Sequence, residues 1–175
     1  MPLERGLVQV YTGKGKGKTS AALGLSVRAA GHGLRVMFIQ FMKGRFDYGE
    51  LSSLRSLPGI SLVQFGRDSF VNPESPEPED IRAARDALEA GLDALSSGDY
   101  DLVVLDEINV ALGYNLVSLE DVVRLLDSRP PNVELVMTGR YAHPEVIRRA
   151  DLVTEMLDVK HPFDDGIPAR RGIEY

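Results

Sequence analysis

Residues Thr12-Gly13-Lys14-Gly15-Lys16-Gly17-Lys18-Thr19 stand between an apolar run at 7–11 and a helix-periodic segment at about 18–30. A strand that turns through alternating glycines straight into a helix leaves few folds open. The glycines let successive backbone N–H groups point inward, and the helix start adds the positive end of its dipole, so the turn suits an anion. In that setting Lys18 would reach the terminal phosphates of a polyphosphate and the Thr19 hydroxyl would hold Mg²⁺. The general pattern asks for glycine at position 12; here that residue is Thr12, and the glycine is displaced to Gly13.

The rest of the chain repeats the same alternation. Runs at 35–41 and 60–65 read as strands, with a short helix at 49–57 between them, stopped by Pro58. Segment 72–80, with Pro73, Pro76, Pro78 and four acids, reads as an exposed loop. Ile81, Ala84, Leu88, Leu92 and Leu95 then share one face of a helix over 80–95. Runs 102–105 and 133–137 are apolar between polar flanks, as in strands buried on both faces. One helix lies between them, with Ser118 and Asp121 spaced as a capping box. A short helix near 144–149 and a last strand at 152–157 follow. Strands and helices alternating with short connections predict one α/β domain over residues 1–175. It would be three-layered, a mostly parallel sheet flanked by helices, in the manner of phosphate-loop NTPases. Ligands of such sheets sit at the carboxyl ends of the strands.

Composition narrows the classes. The chain has no cysteine, which excludes disulfides and thiolate chemistry. Its formal charge of −6 argues against a general attraction to nucleic acid or anionic membrane. Its apolar runs are about four residues long against the ~20 of a membrane span. Residues 1–6 lack the apolar stretch of a secretory signal, so a cytosolic protein is expected. Asp106 and Glu107 end the 102–105 run; both are expected to emerge facing the loop, one of them binding the magnesium directly or through water. Arg140, after another buried strand, is placed to face the anion site, whereas Arg28 reads by pattern as a surface cation. His32, His143 and His161 fall in turns and loops without metal-ligand spacing.

The displaced-glycine loop resembles that of the phosphate-loop ATP:corrinoid adenosyltransferases, and further motifs match in family order. They are 28–33 (RAAGHG), 36–44 (VMFIQFMKG), Asp106-Glu107-Ile108-Asn109, Thr138-Gly139-Arg140, 150–155 (ADLVTE), Lys160-His161-Pro162 and 166–175 (GIPARRGIEY). The resemblance spans about residues 5–175 and implies transfer of the 5′-deoxyadenosyl group of ATP to the Co(I) of a reduced corrinoid, releasing triphosphate. By position, Lys18, Thr19 and Glu107 would be catalytic, with Thr19 and Glu107 the Mg²⁺ ligands. Gly13, Lys14, Gly15, Lys16, Gly17, Lys18, Thr19 and Ser20 would contact phosphates, and Arg28 the nucleoside end. In that family ATP lies reversed in the loop, exposing the ribose carbon to attack. The resemblance also implies a homodimer and a flavodoxin-like electron donor.

Two features depart from the family. Its members press a Phe/Trp pair on the corrinoid's lower face, but this sequence has no tryptophan. Phe70 is the nearest aromatic, with Phe41 next and Met42, Phe46 and Tyr48 behind them. Only six residues precede the first strand, so the covering N-terminal helix of longer relatives is missing or short, and another element would have to close the site. Two other readings stand beside this one. A phosphate-loop ATPase or kinase would use Asp106 or Glu107 as base. A nucleotide-sensing module would bind ATP without transferring anything.

Overall fold

The computed structural model describes residues 3–44 and 48–175. Six strands form one sheet: β1 (Val8–Thr12), β2 (Val36–Phe41), β3 (Ile60–Phe65), β4 (Leu102–Asp106), β5 (Glu134–Thr138) and β6 (Leu152–Glu155). Their order is β3-β2-β4-β5-β1-β6, and every neighbouring pair is parallel. Helices α1 (Lys18–Gly31), α2 (Gly49–Ser56), α3 (Pro78–Ser96), α4 (Ile108–Gly113), α5 (Leu119–Ser128) and α6 (Pro144–Arg149) connect them.

The period-2 geometry of a strand sends alternate side chains to opposite faces. Val103 and Leu105 of β4 pack with Ala84, Leu88 and Leu95 of α3 and Leu125 of α5. Leu102 and Val104 pack with Ala22 and Ala29 of α1 and Leu54 of α2. The sheet is thus covered on both faces, which is why β4 has no polar position before Asp106. Three layers with an all-parallel sheet is the expected architecture. No helix among the described residues is long and apolar enough to cross a membrane.

Three segments differ from the sequence reading. First, α3 begins inside the stretch expected to be exposed loop. Pro78 stands at the helix start, where its fixed φ is already helical and its missing N–H costs nothing. Glu77 and Asp80 form the capping box, and Asp80 is buried under Arg67, which donates from Nε and Nη2 at 2.7 Å each. Second, two helices join β4 to β5 rather than one. The additional α4 starts at Glu107, whose φ of 68° turns the chain directly out of the strand; Ser118 caps α5 as its spacing requires, accepting from the Asp121 N–H at 3.1 Å. Third, β6 ends at Glu155, and Met156 and Leu157 instead run beneath the phosphate loop.

The Arg67 hydrogen bonds hold the Asp80 carboxyl below its usual 3.8, against the opposing effect of burial. A depressed folded-state value stabilises the fold above the unfolded value and is lost as pH falls through the folded one. Asp80→Asn is therefore expected to destabilise at neutral pH. Its deficit against wild type should shrink below about pH 4. Paired urea titrations at pH 7 and pH 3 check this.

Candidate functional site

The carboxyl ends of β1, β4 and β5 converge on the loop 13–17. Gly17, with φ 118°, turns the chain into α1, and Gly13 also lies in the left-handed region at 94°. The loop is moored to the segment after β6: the Gly15 N–H donates to the Met156 carbonyl at 2.7 Å, and the Met156 N–H donates to the Thr12 carbonyl at 2.9 Å. A Cβ at Gly13 would collide with the Met156 carbonyl oxygen, and one at Gly15 with that of Leu157. These glycines are required by the chain beneath them. Position 12 tolerates threonine because its side chain faces elsewhere, accepting the Ala142 N–H at 3.3 Å.

Lys18 was expected to stand open to ligand. It is instead buried, with Nζ donating to the carbonyls of Gly13 (2.9 Å) and Gly15 (2.6 Å). Its pKa is lowered first by burial, with Glu107 opposing and Arg140 adding to the shift. Loss of Lys18 therefore also removes two ties inside the loop. Thr19 points the other way, its hydroxyl donating to Asp106 Oδ1 at 2.8 Å. Lys14, Lys16 and Ser20 are exposed along the same turn.

Asp106 does not emerge from the strand end as expected; it is wholly buried. A charge can be held there because four donors meet it. Thr19 and Thr138 (2.7 Å) bond Oδ1, while Lys43 (3.0 Å) and Gln40 (3.2 Å) bond Oδ2. Gln40 is in parallel register with Asp106 and is itself fixed by Gln64 at 2.9 Å. Burial alone would lower the Lys43 pKa, but the Asp106 charge and hydrogen bond outweigh it and the net shift is upward. Glu107 is the acid that turns toward the loop, half-buried, its N–H donating to Thr138 Oγ1 at 2.9 Å. Its pKa is raised by burial and then by Asp106, against the pull of Lys43, Lys18 and Arg140.

Arg140 lines a cavity of about 800 Å³ with Gly13, Lys14, Tyr141 and Glu155, and its charge is felt by both Lys18 and Glu107, so it does face this site. Arg28 does not. Ten residues past Lys18, about 15 Å along a helix axis, it lines a separate cavity with Leu3, Arg5, His32 and Glu134 near the starts of the strands. Phe41 is wholly buried in the core, out of a ligand's reach, because its register turns it toward α3. Phe70 is fully exposed in the loop after β3 and covers no apolar surface. Met42 packs on the core, Tyr48 stacks its ring 5.3 Å from Lys43 Nζ, and Phe46 lies outside the described residues. Lys43, Gln40 and Thr138 were not foreseen as partners of Asp106. Only the pairing of β4 with β2 and β5 reveals them.

A parallel sheet with a glycine loop opening α1, and an acid at the end of β4, one strand removed from β1, bonded to the helix's first hydroxyl, defines an α/β protein of phosphate-loop NTPase-like architecture. The chain belongs to the ATP:corrinoid adenosyltransferase BtuR/CobO/CobP family, whose model matches residues 4–175. It is 40% identical over 172 residues to a corrinoid adenosyltransferase of Pseudomonas aeruginosa, covering 98% of this chain and 85% of that one. It is 38% identical to that of Escherichia coli K12 (98% and 87%) and 38% identical to the corrinoid adenosyltransferase CobA of Salmonella typhimurium (98% and 87%).

Removing one partner of a buried ion pair strands the other charge, at a cost of about 3–5 kcal/mol. Lys43→Met is expected to cost roughly 3 kcal/mol, because some water still reaches Lys43. Adding Asp106→Asn should recover much of that loss, as a double-mutant cycle by urea denaturation would show.

Proposed function

We propose that this chain transfers the 5′-deoxyadenosyl group of ATP to the cobalt of a reduced corrinoid and releases inorganic triphosphate. The observation that carries the reading is the moored glycine loop with Lys18 and Thr19 in a chain that belongs to this family along residues 4–175. Co(I) attacks the ribose C5′; a Co–C bond forms, the C5′–O bond breaks, and its electron pair leaves on the triphosphate. The nucleophile needs no base, so the protein's task is to position the substrates and stabilise the leaving charge. The first N–H groups of α1, at Lys18, Thr19 and Ser20, have no partner within the helix and face the phosphates. Lys18 exchanges its loop carbonyls for phosphate oxygens, and Lys14, Lys16 and Arg140 add charge along the chain of phosphates.

An ATPase or kinase would need a free carboxylate as base. Asp106 already accepts four hydrogen bonds, which leaves Glu107 of the pair for that role, and it is the family match along residues 4–175 that favours adenosyl transfer over that alternative. The Thr19 hydroxyl and the Asp106 and Glu107 carboxylates are hard oxygen donors at one end of the loop, a set suited to Mg²⁺, which prefers oxygen and keeps room for phosphates and water. We assign Thr19 and Glu107 as its direct ligands, with Asp106 orienting Thr19. Mg²⁺ bound there would neutralise charge developing on the triphosphate. Phe70, with its whole ring exposed at the carboxyl end of the sheet, is the residue we assign to the corrin face. Its neighbour substrate would arrive as Co(II), reduced by an electron from a flavodoxin-like protein in the cytosol. Leu152 and Val153 of β6, with Leu157 and Val159 beyond it, expose apolar surface beside an open sheet edge, and a second copy covering it makes the protein a homodimer.

Incubating the protein with Mg-ATP and chemically reduced corrinoid should give triphosphate and the spectrum of an adenosylated corrinoid. ADP plus phosphate would sink the reading. Lys18→Ala should slow turnover roughly 100- to 1000-fold, with a thermal midpoint somewhat below wild type because its two loop ties are gone. Glu107→Gln should raise the magnesium concentration needed for half-maximal rate while metal-free nucleotide binding changes little. A metal defect in Asp106→Asn alone would reverse the assignment within the pair.

A further inference from the structure

The segment from Arg170 to Tyr175 folds back onto the phosphate loop. The Arg170 carbonyl accepts the N–H groups of Ile173 (3.2 Å) and Glu174 (2.9 Å), closing a tight turn. Arg170 also grips the Glu174 carboxylate, from its backbone N–H at 2.7 Å and from Nε and Nη2 at 3.2 and 3.1 Å. Lys16, the middle lysine of the loop, donates to the same carboxylate at 2.9 Å and to the Ile173 carbonyl at 3.4 Å. Residues Gly172 to Tyr175 thereby wall a cavity of about 450 Å³ whose other side carries Thr19, Ser20, Lys43 and Tyr48. Arg170 first and Lys16 second hold the Glu174 carboxyl down at about 2, so it is an anion throughout the neutral range.

We propose that residues 170–175 are a strap that competes with the phosphates of the nucleotide for Lys16, closed by Glu174 and displaced when a phosphate chain takes that lysine. The inference rests on the phosphate-loop reading above. One ammonium cannot serve two anions at full strength, and a polyphosphate at Lys16 also repels the carboxylate beside it. Linkage makes the effect reciprocal: closure weakens phosphate binding by the same factor that phosphate weakens closure. The Lys16 side chain is 48% exposed and that of Glu174 21%, so water screens the contact and it can be broken easily. That suits a strap that must yield at each turnover. It also gives Glu174 a part in product release, because its return to Lys16 helps expel triphosphate.

The test uses the full chain and inorganic triphosphate, without corrinoid. By calorimetry, Glu174→Gln should bind triphosphate about two- to fivefold more tightly than wild type, the range expected of an exposed ion pair. The gap should narrow as salt rises. In wild type, triphosphate should accelerate hydrogen exchange at the Ile173 and Glu174 amides, a readout that needs no variant. Unchanged or weaker binding by Glu174→Gln, or slower exchange at those amides, would overturn the strap. If wild type adenosylates corrinoid normally while either of those results is found, the strap alone fails. If wild type binds no triphosphate, the phosphate-loop reading falls and the strap falls with it.

Discussion

Four segments of the chain meet at the carboxylate of Asp106. Thr19 comes from α1, Gln40 from β2, Thr138 from β5, and Lys43 from the turn after β2. A buried charge costs several kcal/mol unless it is fully paired, so these donors are needed for the fold as much as for the site. The centre of the sheet, the start of α1 and the end of β5 are positioned by one group. Glu107 is placed by the same knot, because its N–H rests on the threonine that also binds Asp106. The two adjacent acids divide the work: one is spent on architecture, and the other is left facing the loop.

The phosphate loop depends on a second constraint, from below. Gly13 and Gly15 lie against the Met156 and Leu157 carbonyls so closely that no side chain fits. A glycine at 13 rather than 12 follows from where that segment passes. The displaced glycine is a matter of packing, and it leaves Thr12 free to bond Ala142 on the neighbouring loop.

Much of this was legible in the sequence, where burial on both faces forces continuous apolar runs. The strand 60–65 and the helices at 18–30 and 144–149 fall within a residue of their structural bounds. What escaped depended on tertiary neighbours. The proline-rich acidic stretch is loop as far as Glu77, but its last three residues look like loop until Arg67 is seen waiting to bury Asp80. An aspartate at a strand end looks solvent-bound until the β2 register puts Gln40 beside it. Helix α4 begins at a glutamate with φ of 68°, a conformation that glutamate does not advertise. Phe41, the last residue of β2, is turned into the core by its strand register, whereas Phe70 lies past the end of β3 in a loop and is fully exposed.

The mooring of the phosphate loop to the Met156 segment ties it to the most exposed strand of the sheet. Every residue of β6 is exposed, and the strand pairs on one side only. Edge elements with little buried surface open locally at free energies well below that of global unfolding. When β6 peels away, the Gly15 N–H and the Thr12 carbonyl lose their partners while the Asp106 knot stays closed. The expected consequence on warming is a state with a native core and a slack phosphate loop, in which anion affinity fades before the sheet melts. A second copy laid over β6 would raise the temperature at which that happens, so assembly would act on the site without contributing a single atom to it.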